Sequence, residues 1–503
     1  MSLRTSWLAG AALLVLLSGS GCAPPRPALP PAPPPKPVAE LERWKSPPPL
    51  GADRAALDLK HDTTRVALAN GLHVTVITRP ETTTSSVILW VPEAGDWTMG
   101  PVALAADALH AGTKVGSEVM VNPRIDFQPI NVATNAAGTA FRWQVLPDAT
   151  SKAIELLAAF VTRPTFEPAE TNLKLHAAVD AIQRFSASAG ILDRVAQSAL
   201  IGELPTPEED ARALIKLKRE DLQAIHACSV LPAGAELVVV GPTAANAVQG
   251  WARTGFSGWK STPPAGGCER WKGRGLSLDS ETKRLDRVQL AIAYLDEPDP
   301  VVSLLLPAPA LRDEDYLTYA VLAHALSWRA LTQDDTLRHS GATYTISVSV
   351  DDDFRSFGLL RMAGLVESSA ARGAIRRMVE DTWNLSEQLT EADLDTAKRM
   401  MRTAFLSDLA YNTRFAERAL WLIRQGKDPG QISAGLDTIA QIDLERGRDV
   451  ARRWLKDSKP SIMVRSSPQN LTAGLGLTAQ LRAITLTRRP QAYKKAGSGG
   501  SAH

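Results

Sequence analysis

Pro101-Val-Ala-Leu-Ala-Ala-Asp107-Ala-Leu-His110-Ala-Gly112-Thr113 is the stretch on which the reading of this chain turns. It has helical length: proline suits a first helical position, alanine and leucine sustain the helix, and glycine followed by threonine closes it. Its polar groups are few. Asp107 and His110 stand three residues apart, and alanine, which has no lone pair to offer a metal, fills five of the other eleven positions.

The flanks give this helix a setting. Upstream, residues 65–78 form two short alternating runs around Asn70-Gly71, a strong hairpin signal. A third strand follows at residues 86–91, then Gly95, then the helix. Downstream, Lys218-Arg-Glu-Asp221-Leu222 opens a capped helix that leads through Pro232 to a buried-looking strand, Glu236-Leu-Val-Val-Val240-Gly241.

This order of hairpin, strand, glycine, helix and Gly-Thr resembles the start of the core domain of the pitrilysin/insulinase-like peptidases, the inverted zincins, over residues 60 to 245. Those enzymes carry His-x-x-Glu-His on this helix, with two zinc ligands one turn apart and a general-base Glu between them. Counted back from Gly112, the two His positions fall on Ala103 and Asp107, and the Glu position on Ala106. The resemblance places the third ligand on a later helix, here at residues 168–185, where Ala181 is the matching position and Asp180 lies beside it. A hydrolytic zinc needs three protein donors and a water, so no metal is expected in this chain.

The second half repeats the first. After an aperiodic stretch rich in Gly, Pro, Ser, Lys and Trp comes a strand at 287–294, then a helix at 313–331 with Leu317, Ala320, Val321, Ala323 and Leu326 on one face. Strands at 343–350 and 356–365 precede long helices at 370–389 and 391–409. The half closes on Ile442-Asp443-Leu444, a helix and the strand ending at Val464, much as Glu220-Asp221-Leu222 leads to Val238–Val240. The resemblance implies an α+β fold of two homologous domains, each an antiparallel-rich sheet with helices packed on it, together forming half of a clamshell. The predicted organisation is a signal peptide at 1–22, a Pro-rich linker at 23–50, a first domain at 55–250, an interdomain linker at 251–284, a second domain at 285–470 and a tail at 471–503.

In the family, the second half also contributes an Arg and a Tyr that face the zinc across the cleft. The matching pattern here is Leu337-Arg338-His339-Ser340-Gly341-Ala342-Thr343-Tyr344, with Arg338 ending a helical run and Tyr344 opening a strand. A guanidinium and a phenol suit a peptide carbonyl whose oxygen gains negative charge. Taken without the family, the same residues read as a solvated helix end and a packed strand tyrosine. The family's Gly-Gly before this segment is replaced by Ala325-Leu326-Ser327-Trp328.

Length, composition and address narrow the rest. A chain of 503 residues exceeds one core, and a net charge of +2 with interleaved signs argues against nucleic acid. Arg4 and the apolar run 7–17 read as a secretory signal, and the small residues before Cys22 resemble a bacterial lipobox in which that cysteine is lipidated, although Gly19 stands where Leu is usual. The proline-dense residues 23–49 read as a semi-rigid stalk. Ala23, in place of the Asp that retains lipoproteins at an inner membrane, points to a periplasm-facing outer-membrane lipoprotein. In such an oxidising compartment Cys228 and Cys268 could pair or remain as free thiols.

Three functions fit these residues. In the first, the chain is the zinc-less subunit of a two-chain peptidase, lending Arg338 and Tyr344 to a homologous zinc-bearing partner that hydrolyses peptides or unfolded proteins. In the second, it is a stand-alone peptide-binding or scaffold lipoprotein. The third is an active metallopeptidase with relocated ligands drawn from Asp107, His110 and either His176 or Asp180.

Overall fold

The computed structural model describes residues 62–92, 105, 130–135, 137–186, 207–260, 268, 289–294, 300–332, 343–351, 357–367, 371–430, 432–456, 458, 460–466 and 482–486. Asn70 and Gly71 make the first turn as their chemistry dictates. Gly71 has φ +90°, where a side chain would be strained, and Asn70 Oδ1 accepts from Leu72 N at 3.2 Å. The turn joins β1 (Thr63–Ala67) to β2 (His73–Thr78) in antiparallel register, with Ala67 opposite His73.

The first sheet continues with β3 (Ser85–Pro92), β4 (Asn131–Asn135), β5 (Gly138–Val145) and β6 (Glu236–Gly241), in the spatial order β1-β2-β6-β3-β5-β4. The second holds β7 (Gln289–Tyr294), β8 (Val301–Ala308), β9 (Thr343–Asp351), β10 (Gly358–Val366), β11 (Ser461–Ser466) and β12 (Arg482–Leu486), in the order β12-β7-β11-β8-β10-β9. Five strands correspond one to one. The parallel pair β2/β6 matches β7/β11, and the antiparallel run β6-β3-β5-β4 matches β11-β8-β10-β9. Only the outermost strand on one side differs, β1 being antiparallel to β2 and β12 parallel to β7.

Each sheet buries one face under its own helices. In the first lobe these are α1 (Thr150–Thr162), α2 (Pro168–Ser186), α3 (Pro207–Leu214), α4 (Arg219–Ser229) and α5 (Ala245–Phe256). Val74, Val76, Val87, Leu89, Phe141, Leu237 and Val239 line the sheet side of that core. In the second lobe α6 (Tyr316–Thr332), α7 (Ala371–Gln388), α8 (Glu391–Asp408), α10 (Ile432–Gln441) and α11 (Leu444–Trp454) do the same. A buried carboxylate, Asp315, ties the start of α6 to α11 by accepting from Arg446 at 2.7 Å, Arg453 at 2.6 Å and Trp454 Nε1 at 2.9 Å. The two repeated Asp-Leu pairs cap differently: Asp443 is the N-cap of α11, whereas Asp221 sits inside α4 and accepts from Lys218 N at 2.9 Å.

The remaining helix, α9 (Asn412–Arg424), belongs to the second lobe by sequence but covers the other face of the first sheet. Phe415, Ala416, Ala419, Leu420, Leu422 and Ile423 pack with Ile77, Ile88, Ala140, Val238 and Val240. Gly426 ends α9 at φ +76°, and Lys427 N donates to Leu422 O at 2.9 Å, the Schellman closure that glycine permits.

Two predicted boundaries move. Residue 250 falls inside α5, whose Val248, Ala252 and Phe256 are all fully buried, and the first core runs on to Trp259 and Cys268. The stretch set aside as a tail from residue 471 contributes β12 to the second sheet. In the first case Gly and Trp composition hid a helix with apolar residues at every fourth position; in the second a short strand takes its order from β7.

Candidate functional site

The helix that would face a bound metal in the first lobe is represented among the described residues by Ala105 alone, helical and 1% exposed within the first core. Ala103, Ala106, Asp107 and His110 lie outside the described residues. On α2 the positions that matter are described: Thr171, Leu175 and Val179 turn inward, while His176, Asp180 and Ala181 lie on the exposed face beside Leu173. Ala181, the position that the resemblance assigns to a third ligand, is exposed and carries only a methyl group. Among the described residues no group of three or more His, Cys, Asp or Glu could hold a metal ion, and His176 with Asp180 supplies two donors where zinc hydrolysis needs three.

In the second lobe, α6 occupies the place in chain order that the 101–113 segment occupies in the first, between the strands equivalent to β3 and β4. Its polar residues serve the core. Tyr319 is buried with its hydroxyl donating to Pro307 O at 3.1 Å, and burial pushes the phenol's pKa up. Burial likewise lowers the pKa of His324.

Arg338 lies outside the described residues, as does Cys22. Tyr344 is the second residue of β9, the edge strand of its sheet, and the backbone there is irregular. Leu365 of β10 pairs with Thr345 and Val366 with Thr343, so Tyr344 has no residue opposite it and forms a β-bulge. Bulges re-aim a side chain away from the regular pleat and collect at sheet edges near functional sites. Nothing in the run Thr343-Tyr344-Thr345-Ile346 signals this in advance, because a bulge is a property of the pairing and not of one strand.

Cys228 and Cys268 are joined in a disulfide with a Cα–Cα separation of 5.6 Å. Two residues earlier on α4, His226 rests edge-on to Phe166 at 6.1 Å between ring centroids. Its imidazole donates to the Val161 carbonyl, its Nε2 has no hydrogen-bond partner, and burial pulls its pKa down to about 4.

The duplicated sheets and the α9 cross-packing define a two-lobed α+β fold built from two equivalent six-stranded sheets. Residues 216–401 match the family model described as the Peptidase M16 inactive domain, and the sequence carries no His-x-x-Glu-His. The same fold occurs in the peptidase M16 inactive domain from Pseudomonas fluorescens (TM-score 0.68, 14% identity, covering 80% of this chain and 98% of that one). A protease from Helicobacter pylori is similar (TM-score 0.66, 17% identity, 80% and 99%). So is the periplasmic protease PqqL from Escherichia coli (TM-score 0.63, 11% identity), where the match covers 84% of this chain but 49% of PqqL. No curated protein matches the sequence.

Proposed function

We propose that this chain is the zinc-less subunit of a heteromeric M16 peptidase, and that it supplies Arg338 and Tyr344 to the active site of a homologous zinc-bearing partner that hydrolyses peptides. The observation that carries this reading is a division of parts. The chain has the span of half of PqqL, has lost the metal positions at Ala103, Ala106, Asp107 and Ala181, and keeps the Arg and Tyr that the opposing wall would need. The bulge at Tyr344 supports it, since bulges are over-represented at sheet edges and next to active sites.

The setting is the bacterial envelope, with Cys22 as a lipid anchor and residues 23–50 as the spacer that holds the lobes off the membrane. A disulfide between Cys228 and Cys268 suits an oxidising compartment, and PqqL is itself periplasmic. Capture of the chain from native envelope extracts should bring down a homologue with an intact His-x-x-Glu-His in near-equal amount. Recovery of the chain alone, at any salt concentration that preserves its fold, would leave the stand-alone lipoprotein as the better account.

A further inference from the structure

We propose that Cys228–Cys268 is a covalent staple closed by a disulfide-bearing oxidant while the first lobe folds, and sealed against reduction by the finished fold. The bond joins the last turn of α4 to the segment beyond Trp259 across a sequence separation of 40. Inside the loop it closes lie β6, which pairs with both β2 and β3 at the centre of the first sheet, and the whole of α5. The staple therefore closes a covalent loop that includes a central strand of the sheet.

Access to the two sulfurs is unequal. Cys228 is 2% exposed and belongs to the core that holds Leu222, Ile225, Val230 and Trp259. Cys268 is only partly buried against that core. The chain on either side of the bond is fixed independently. Asn70 Nδ2 donates to Phe256 O at 3.0 Å and Trp259 O at 3.3 Å, and Trp259 Nε1 donates to Val230 O at 3.0 Å.

Closure needs Cys228 as a thiolate to attack an oxidant or a mixed disulfide on Cys268, and the apolar core around Cys228 disfavours that anion once it has docked, so oxidation precedes docking. In that step two thiols lose two protons and two electrons, one S–S bond forms, and the oxidant's disulfide is reduced to two thiols. Reversal in the folded protein has one open route. A thiolate attacks Cys268 Sγ, the S–S bond breaks, and the electron pair leaves on Cys228 Sγ. That sulfur would become an anion in apolar surroundings, which raise a thiol's pKa and make it a poor leaving group.

The full chain purified from envelopes tests this directly. Digestion without reductant should yield the Cys228 and Cys268 peptides as one linked species. With excess dithiothreitol, reduction should be at least ~100-fold slower in the native protein than in urea, where Cys228 is solvated. Unlinked peptides from envelope-derived protein would overturn the staple, and a native reduction rate within about threefold of the denatured rate would overturn the sealing.

Discussion

Arg79 and Asn412, from opposite lobes and 333 positions apart, meet across the seam with Arg79 Nη1 at 3.2 Å from Asn412 Oδ1. The same nitrogen donates to Leu409 O at 2.8 Å, Asn412 Nδ2 donates to Thr84 O, and the guanidinium lies 5.0 Å from the centroid of Phe415. Asn412 is buried at the first residue of α9, so the contact fixes where that helix lands on the first sheet. Arg142 adds a second link, 3.4 Å from Glu417 on the same helix.

Replacing Asn412 by Ala leaves the Thr84 carbonyl with only the 3.5 Å bond from Thr82 Oγ1 and takes one acceptor from Arg79 Nη1. Urea denaturation should show a loss of about 2–3 kcal/mol, the cost of leaving buried partners unpaired. The double change Arg79→Ala with Asn412→Ala should cost less than the two single losses added together. Strict additivity would mean that the two side chains share geometry without sharing energy.

Removal of the staple should be felt more strongly. A loop spanning a separation of 40 residues corresponds in the chain-entropy account to about 4 kcal/mol. Cys228→Ser with Cys268→Ser should lower the thermal midpoint markedly and make it insensitive to dithiothreitol. Equal midpoints for the paired variant and the wild type would show that the packing of Trp259 alone fixes the segment.

How far the sequence spoke for itself differs between elements for physical reasons. The hairpin at Asn70-Gly71, the strand at 236–241 and the helices at 370–389 and 391–409 were legible because turn chemistry and periodicity are local. The strand β8 was not: Val301-Val-Ser-Leu-Leu-Leu-Pro-Ala308 is buried along most of its length, so it does not alternate, and Pro307 argues against a strand. The helix α9 was missed although Phe415, Ala416, Ala419, Leu420 and Ile423 recur at helical spacing on its buried side. At the candidate site, Tyr344 could be placed at the start of a strand from the sequence, but its bulge depends on β10 and could not be read there.

His226 gives the stability a pH dependence with a definite sign. Its pKa falls from 6.5 to about 4 in the folded protein, chiefly because burial disfavours the imidazolium. Between those values the unfolded chain takes up a proton that the native state refuses. The stability is therefore whole above pH 6.5, declines as the pH falls towards 4, and levels off below, a loss of about 3 kcal/mol. His226→Asn places an amide donor near Val161 without a titrating group, and its urea midpoint should vary less between pH 7 and pH 4. A variant with the wild-type profile would assign the acid sensitivity to other groups.

The proposed role of Arg338 and Tyr344 separates binding from chemistry. If both act on the developing oxyanion in a partner's site, Arg338→Ala and Tyr344→Phe should each lower the complex's kcat by roughly 10²–10³-fold, the usual loss for one such donor. Neither change should release the partner, because in the proposed role both side chains act on the substrate's oxygen and not on the subunit interface. The isolated chain should carry no stoichiometric zinc by metal analysis, since Asp107 and His110 do not reproduce the family's ligand positions. Stoichiometric zinc in the isolated chain together with peptide cleavage would point to relocated ligands. Full activity of the complex with both residues replaced would instead leave the bulged tyrosine as a feature of the sheet edge alone.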